Sequence, residues 1–166
     1  MRRIWILTIL AVCGIQVGVS PTLHAQAGPE IRRLDAFVGQ WRLDIDIKAT
    51  PTTQAIKASG TEACTLFANM HVVCTADAGT YRAMRTISYL PALKQYGTYS
   101  VDSYGIAVYA LGQVNRDTWT FSTEAGGYKA RTVINLSRDN YTSTYEYAGA
   151  DGKWVPASVT RGTKTR

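Results

Sequence analysis

From Trp41 onward the chain keeps one period. Trp41, Leu43, Ile45 and Ile47 alternate with Arg42, Asp44, Asp46 and Lys48. Successive side chains of an extended strand point to opposite faces, so this pattern predicts a strand that is buried on one side and wet on the other. Similar runs recur at about 57–67, 71–77, 80–90, 95–103, 106–114, 117–124, 128–136, 140–148 and 153–163. The breaks between them hold Asp77-Ala78-Gly79, Tyr104-Gly105, Asn115-Arg116-Asp117, Gly126-Gly127, Arg138-Asp139-Asn140 and Asp151-Gly152. These are residues that tolerate the positive φ of tight hairpins. Connections this short join antiparallel neighbours, and a meander of about eight to ten strands removes its unpaired edges by closing. The expected fold is all-β, an antiparallel up-and-down barrel. One short helix should precede it, because Ile31, Leu34, Phe37 and Val38 share a helical face after the initiating Pro29.

Ahead of this domain stand Arg2 and Arg3, an apolar run from Ile4 to Val19, and Ala25-Gln26-Ala27. Charge, apolar core and small residues in that order read as a secretory signal peptide over residues 1–27, cleaved after Ala27. The apolar run is shorter than the ~20 residues of a spanning helix and is diluted by Gly14, Gln16 and Gly18, so no stable membrane span is expected in the mature chain. Leu10-Ala11-Val12-Cys13 resembles a lipobox and makes a lipoprotein anchored at Cys13 the alternative, with bulky Val12 against it. The mature protein is then a single domain, residues 28–166, periplasmic or secreted. Losing two of the 18 basic residues leaves it at net +4 against 12 acidic ones. The cations are scattered, which argues against a nucleic-acid groove.

With Cys13 removed, Cys64 and Cys74 remain, an even count suited to an oxidising compartment. The runs around them read as a hairpin turning at Ala68-Asn69-Met70, and with Asn69 at the apex Cys64 faces Cys74 directly. A cross-strand disulfide of this kind acts as a structural staple. A redox-active pair would want Cys-x-x-Cys spacing, which is missing.

Gly39-Gln40-Trp41 on the first strand resembles the calycin superfamily of lipocalin-type barrels. Further on, Tyr89-Leu90-Pro91-Ala92-Leu93-Lys94-Gln95-Tyr96 leads into Val101-Asp102-Ser103-Tyr104-Gly105, and the chain ends with Asp151-Gly152-Lys153-Trp154 and Arg161. That series is similar to a bacterial calycin-like family of the domain-of-unknown-function 1579 type, departing from it at Leu90, where an aspartate is the expected residue. The resemblance implies the barrel and a clasp in which Trp41 packs beneath Arg161. It implies no reaction.

Candidate site residues follow from parity and chemistry. Trp119 and Phe121 alternate with Thr118, Thr120 and Ser122, so they should face inward, and Tyr99, Tyr145 and Tyr147 are expected to join them. Together they would form an apolar cup edged with hydroxyls, suited to a flat or amphipathic molecule. Arg85 and Arg131 would fix an anionic head group, against the commoner solvent-facing role. Asp44 and Asp46 oppose Trp41 and Leu43 and should lie outside. Asp102 and Glu146 sit on strands with tyrosine on both faces, where parity does not choose a side; inside, either would suit proton transfer. His71 is the single mature histidine and cannot form a triad or a multi-histidine metal site, so an exposed place beside the turn is expected ahead of a haem ligand. No metal or cofactor is expected.

The leading expectation is a barrel that binds a small hydrophobic or amphipathic ligand. The alternatives are a cup enzyme, an isomerase or hydrolase working through a buried carboxylate, and a solidly packed envelope protein that acts through its surface.

Overall fold

The structure, a computed structural model, describes residues 28–49 and 54–165. The expected leader with Cys13 lies outside the described residues. A one-turn helix α1 (Pro29–Arg32) runs into a 3-10 turn (Arg33–Phe37), which buries Leu34 and Phe37. Ten strands follow: β1 (Gly39–Ile47), β2 (Ile56–Phe67), β3 (His71–Ala78), β4 (Tyr81–Leu90), β5 (Gln95–Asp102), β6 (Ala107–Asn115), β7 (Thr118–Ala125), β8 (Tyr128–Leu136), β9 (Asn140–Ala148) and β10 (Trp154–Thr165). Every strand pairs antiparallel with its neighbours in sequence, and β1 pairs with β10 to close the cylinder. The meander and its closure are those the alternation predicts. No helix among the described residues is long and apolar enough to cross a membrane.

Odd strands run away from the helix and even strands run back, so the barrel has two unlike ends. Near the helix, Trp41 Nε1 donates to the Phe37 carbonyl (2.9 Å) and Tyr96 Oη donates to the Glu30 carbonyl (2.9 Å). The Phe37 ring meets Trp119 edge-on at 4.9 Å, and Trp119 meets Tyr96 at 4.7 Å. The helix thereby plugs this end with an aromatic layer, each ring contributing roughly 1.5–3 kcal/mol by burial. The barrel and its plug are formed by residues 28–49 and 54–165.

Two glycines shape the floor. A Cβ on Gly112 would meet the Phe121 ring at 2.5 Å, and one on Gly162 would overlap the Tyr141 ring. Each aromatic lies flat across a neighbouring strand because that strand has no side chain there. Lying over Gly162 on β10, Tyr141 packs against Trp41 of β1 at 5.1 Å and reaches across to β2.

Cys64 pairs with Cys74 in the β2–β3 register and is bonded to it, with Cα atoms 4.0 Å apart and both side chains buried inside the barrel. The three-residue loop places Ala68 and Asn69 at positive φ, 52° and 55°.

Candidate functional site

Ladder register fixes which side chains face the axis, since directly opposed residues share a face. Toward the plugged end, most inward residues are closed off from water: Trp41, Leu43, Val72, Ile87, Ile134 and Leu136 are at most 5 % exposed, with Leu66 at the end of β2 the exception. Toward the other end the inward row consists largely of small or hydroxylated residues, among them Ala83, Ser100, Thr132, Ser143, Ser158 and Thr160, and these are only half-buried. Inward and only half-buried, they make the half of the barrel away from the helix, the cup, less closely packed than the plugged half. Ten strands enclose more space than the eight that side chains alone can fill.

A polar cluster stands where the packed half meets the cup. Glu62, 6 % exposed, points inward from β2. Arg85 Nη2 donates to Glu62 Oε1 (3.0 Å), and Tyr141 Oη donates to Glu62 Oε2 (2.9 Å). Three strands thus converge on one carboxylate, and the Arg85 side chain keeps 20 % of its surface accessible. Burial opposes the Arg85 charge, but the facing carboxylate outweighs it and holds the guanidinium protonated above its ordinary range. Burial, helped by the Glu62 charge, pushes the Tyr141 phenol well above its ordinary value. Arg85 Nε and Thr98 Oγ1 are buried without a partner among the described residues. Nearer the mouth, Tyr128 and Tyr145 share a hydrogen bond of 2.6 Å. Burial and that bond raise Tyr145 strongly, while Tyr81 is raised by burial and by Asp102.

The sequence-derived candidates divide. Trp119 and Phe121 face inward as expected, but at 3 % and 2 % exposure they form the floor beneath the cup. Tyr145, Tyr147 and Arg85 face the cup itself. Tyr99 does not: it is 45 % exposed on the outer wall, opposite Tyr109, because Thr98 and Ser100 take the inward positions of β5. Arg131 is also outside. Its Nε donates to Glu146 (2.6 Å), and its guanidinium lies 4.3 Å from the centre of the Trp154 ring, so it clips β8, β9 and β10 together and fixes nothing within the cup. Glu146 is therefore outside as well.

Asp102 sits at the rim, where Oδ1 accepts from the backbone N–H of Tyr104 and of Ile106 and holds the β5–β6 loop. The Trp41–Arg161 clasp is corrected in its second member. A bulge between Pro156 and Ser158 shifts β10 by one residue, which turns Arg161 outward opposite Asp44 and brings Lys164 over Trp41, 4.9 Å from the ring centre. His71 is half-buried, bonded to Ser88 (2.7 Å) on the outer face. Asp44 and Asp46 lie outside, as parity requires.

Glu62 and Tyr141 were not singled out from sequence. Their signal was there in part, since Glu62 shares its face with Cys64 two residues on, and Tyr141 begins the same inward row as Tyr145 and Tyr147. Glu62 lies close to both cysteine sulfurs, but the disulfide leaves neither sulfur as a thiolate ligand. Two shallow grooves mark the outer wall, one by Asp44, Lys57 and Arg161 and one by Thr75, Met84 and Val101. Both are flanked by exposed, locally paired charges and lack an enclosed apolar lining, so the interior is the better candidate.

The barrel is similar to two solved structures. Rv2717c from M. tuberculosis is 10 % identical with a TM-score of 0.59, covering 84 % of this chain and 99 % of that one. The S-type phycobiliprotein lyase CPES from Guillardia theta is 12 % identical with a TM-score of 0.54, covering 81 % of this chain and 92 % of that one. At such identities the likeness is one of fold. No curated protein matches the sequence. The family described as "Protein of unknown function (DUF1579)" matches residues 26–164, and the chain belongs to that family.

Proposed function

We propose that this barrel is an exported binding protein that holds a small hydrophobic or amphipathic molecule in its open half. One observation supports the reading: most inward-facing side chains are buried beside the helix and most are half-buried beyond Glu62, with Ala78 and Ala130 buried there and Leu66 exposed at the helix end, a gradient that a uniformly packed barrel would not show. The ligand's apolar part would lie on the rings of Tyr145 and Tyr147 and on the inward small residues of β5, β8 and β9. Its polar end would reach the Glu62–Arg85–Tyr141 cluster. Arg85 is already neutralised by Glu62, so an uncharged hydroxyl or carbonyl fits this floor better than the strong anion that a free arginine would attract. Export rests on the leader at residues 1–27 and agrees with the Cys64–Cys74 bond.

The test is displacement of a fluorescent apolar probe, together with native mass spectrometry of the purified protein. Ser100→Phe, which fills the cup from an inward half-buried position, should abolish probe binding and leave the unfolding midpoint near the parent's. Equal probe binding by parent and variant, or none by the parent, would refute the cup.

A further inference from the structure

The open end carries an apolar rim. Tyr104 is 60 % exposed, Ile106 56 %, Tyr128 49 % and Ile56 42 %; the first two lie in the β5–β6 loop and the others begin β8 and β2, all at the mouth. The loop that carries two of them is firmly held. Asp102 Oδ1 accepts from the Tyr104 and Ile106 N–H groups at 2.9 and 3.0 Å, and Ser103 Oγ donates to the Thr80 carbonyl (3.1 Å) while accepting from Arg82 N (3.1 Å). A loop tied this way presents its side chains without an ordering cost on contact, and two large apolar groups are what it presents.

The charges of this end cancel locally. Lys48–Asp46, Arg82–Asp77, Lys129–Glu124 and Lys153–Asp151 are ion pairs, and the remaining Lys57, beside Asp46, and Asp102, held by its own loop, offset each other only in the net charge of this end. The basic excess of the described residues lies elsewhere, on residues such as Arg32, Arg33, Lys94, Arg116 and Arg138 near the plugged end. We infer that the rim docks, mouth first, on the headgroup region of a zwitterionic phospholipid bilayer. Tyrosine and isoleucine suit that layer, where one end of a ring is wet and the other apolar. Self-paired charges give no preference for anionic lipid and meet no like-charge barrier. A ring of apolar groups around an opening also fits a continuous fluid surface better than a single protein knob, and it lets a sparingly soluble ligand pass between bilayer and cup. The contact itself stands on the rim and does not require the cup to be occupied.

The test uses the chain from residue 28, the start of the described barrel and plug. Ile106→Trp and, at the opposite end, Leu93→Trp are mixed with phosphatidylcholine vesicles containing brominated acyl chains. In a Trp154→Phe background, which removes the exposed tryptophan of the open end and leaves only the buried Trp41 and Trp119, Ile106→Trp should blue-shift and be quenched at low and high salt alike, and Leu93→Trp should not. Tyr104→Ser with Ile106→Ser should weaken vesicle binding by roughly tenfold or more at an unchanged unfolding midpoint. Quenching of Leu93→Trp instead, binding that salt abolishes, or no binding at all would overturn the inference. Probe displacement in vesicle-free solution reports the cup separately: a dry rim with a working cup rejects only this inference, and a docking rim with a sealed cup rejects only the binding reading.

Discussion

Removing Arg85 should cost more than removing the charge of Glu62, and removing both should cost less than the two together. Arg85→Met leaves a carboxylate that is 6 % exposed with the Tyr141 hydroxyl as its remaining donor. Breaking a buried pair from one side costs about 3–5 kcal/mol. The 20 % accessibility of Arg85 lets water from the cup relieve part of this, which brings the expected loss to about 2–3 kcal/mol. Glu62→Gln keeps an oxygen to accept from Tyr141 or Arg85 and leaves a cation that can turn toward the cup, so about 1–1.5 kcal/mol is expected.

In the double variant no charge is stranded, and the loss should be about 1–2 kcal/mol, short of the sum of the singles by at least ~1 kcal/mol. Urea unfolding at neutral pH measures all three, provided the slope m is common to the set. Additive losses would show that water reaches Glu62 freely, and the boundary between packed core and cup would have to lie deeper than the structure puts it.

Gly162→Ala should cost about 1–3 kcal/mol by urea unfolding, because the new Cβ displaces the Tyr141 ring and breaks its bond to Glu62; a neutral result would mean the ring does not rest on β10. Cys64→Ala with Cys74→Ala should lose about 2–3 kcal/mol for a bridge of sequence separation 10, and the denatured parent should titrate no thiol from this pair before reduction. Tyr141 and Tyr145 hold their phenolic protons above the ordinary 10.0, so their stabilising effect is complete below that pH. It declines as the pH rises beyond 10.0 and the unfolded chain gives up protons that the fold retains. Unfolding midpoints across that range, with tyrosinate absorbance, check the sign: stability that rises with pH there would contradict the burial of both phenols.

The barrel was legible because its determinants are local. A period of two and a turn residue every eight to twelve positions suffice to specify a meander, and the symmetric placing of Cys64 and Cys74 about Asn69 fixes one register outright. Facing was legible only where the two faces differ in polarity. Trp119 and Phe121 alternate with threonine and serine, and their side was read correctly; β5 places Tyr99 between Thr98 and Ser100, and the larger ring drew the inward assignment that the small hydroxyls hold. Arg131 and Glu146 oppose each other on adjacent strands, so each satisfies the other wherever the pair falls, and composition cannot locate it. Arg161 was lost to the one-residue shift at Pro156–Ser158, since a bulge reverses every later side chain in the strand and leaves little trace beforehand. Glu62, Arg85 and Tyr141 meet only after β1 and β10 have closed the cylinder, which no local pattern reports.

The position of that cluster bears on why it is there. An interior filled for stability alone would gain from apolar residues at positions 62 and 85, since two desolvated charges seldom outdo a well-packed pair of similar volume. Here the ion pair sits on the inner wall at the level where the close-packed half ends, with Tyr141 brought to it across a glycine and with Arg85 Nε and Thr98 Oγ1 lacking protein partners among the described residues. An ion pair set into an inner wall of small and hydroxylated residues, beside a buried aromatic layer, can meet the polar end of a molecule. If apolar replacement of both residues stabilised the domain while probe binding and its selectivity stayed the same, the cluster would be a relic of packing. Loss of selectivity in that stabilised variant is the result expected of a floor that reads its ligand.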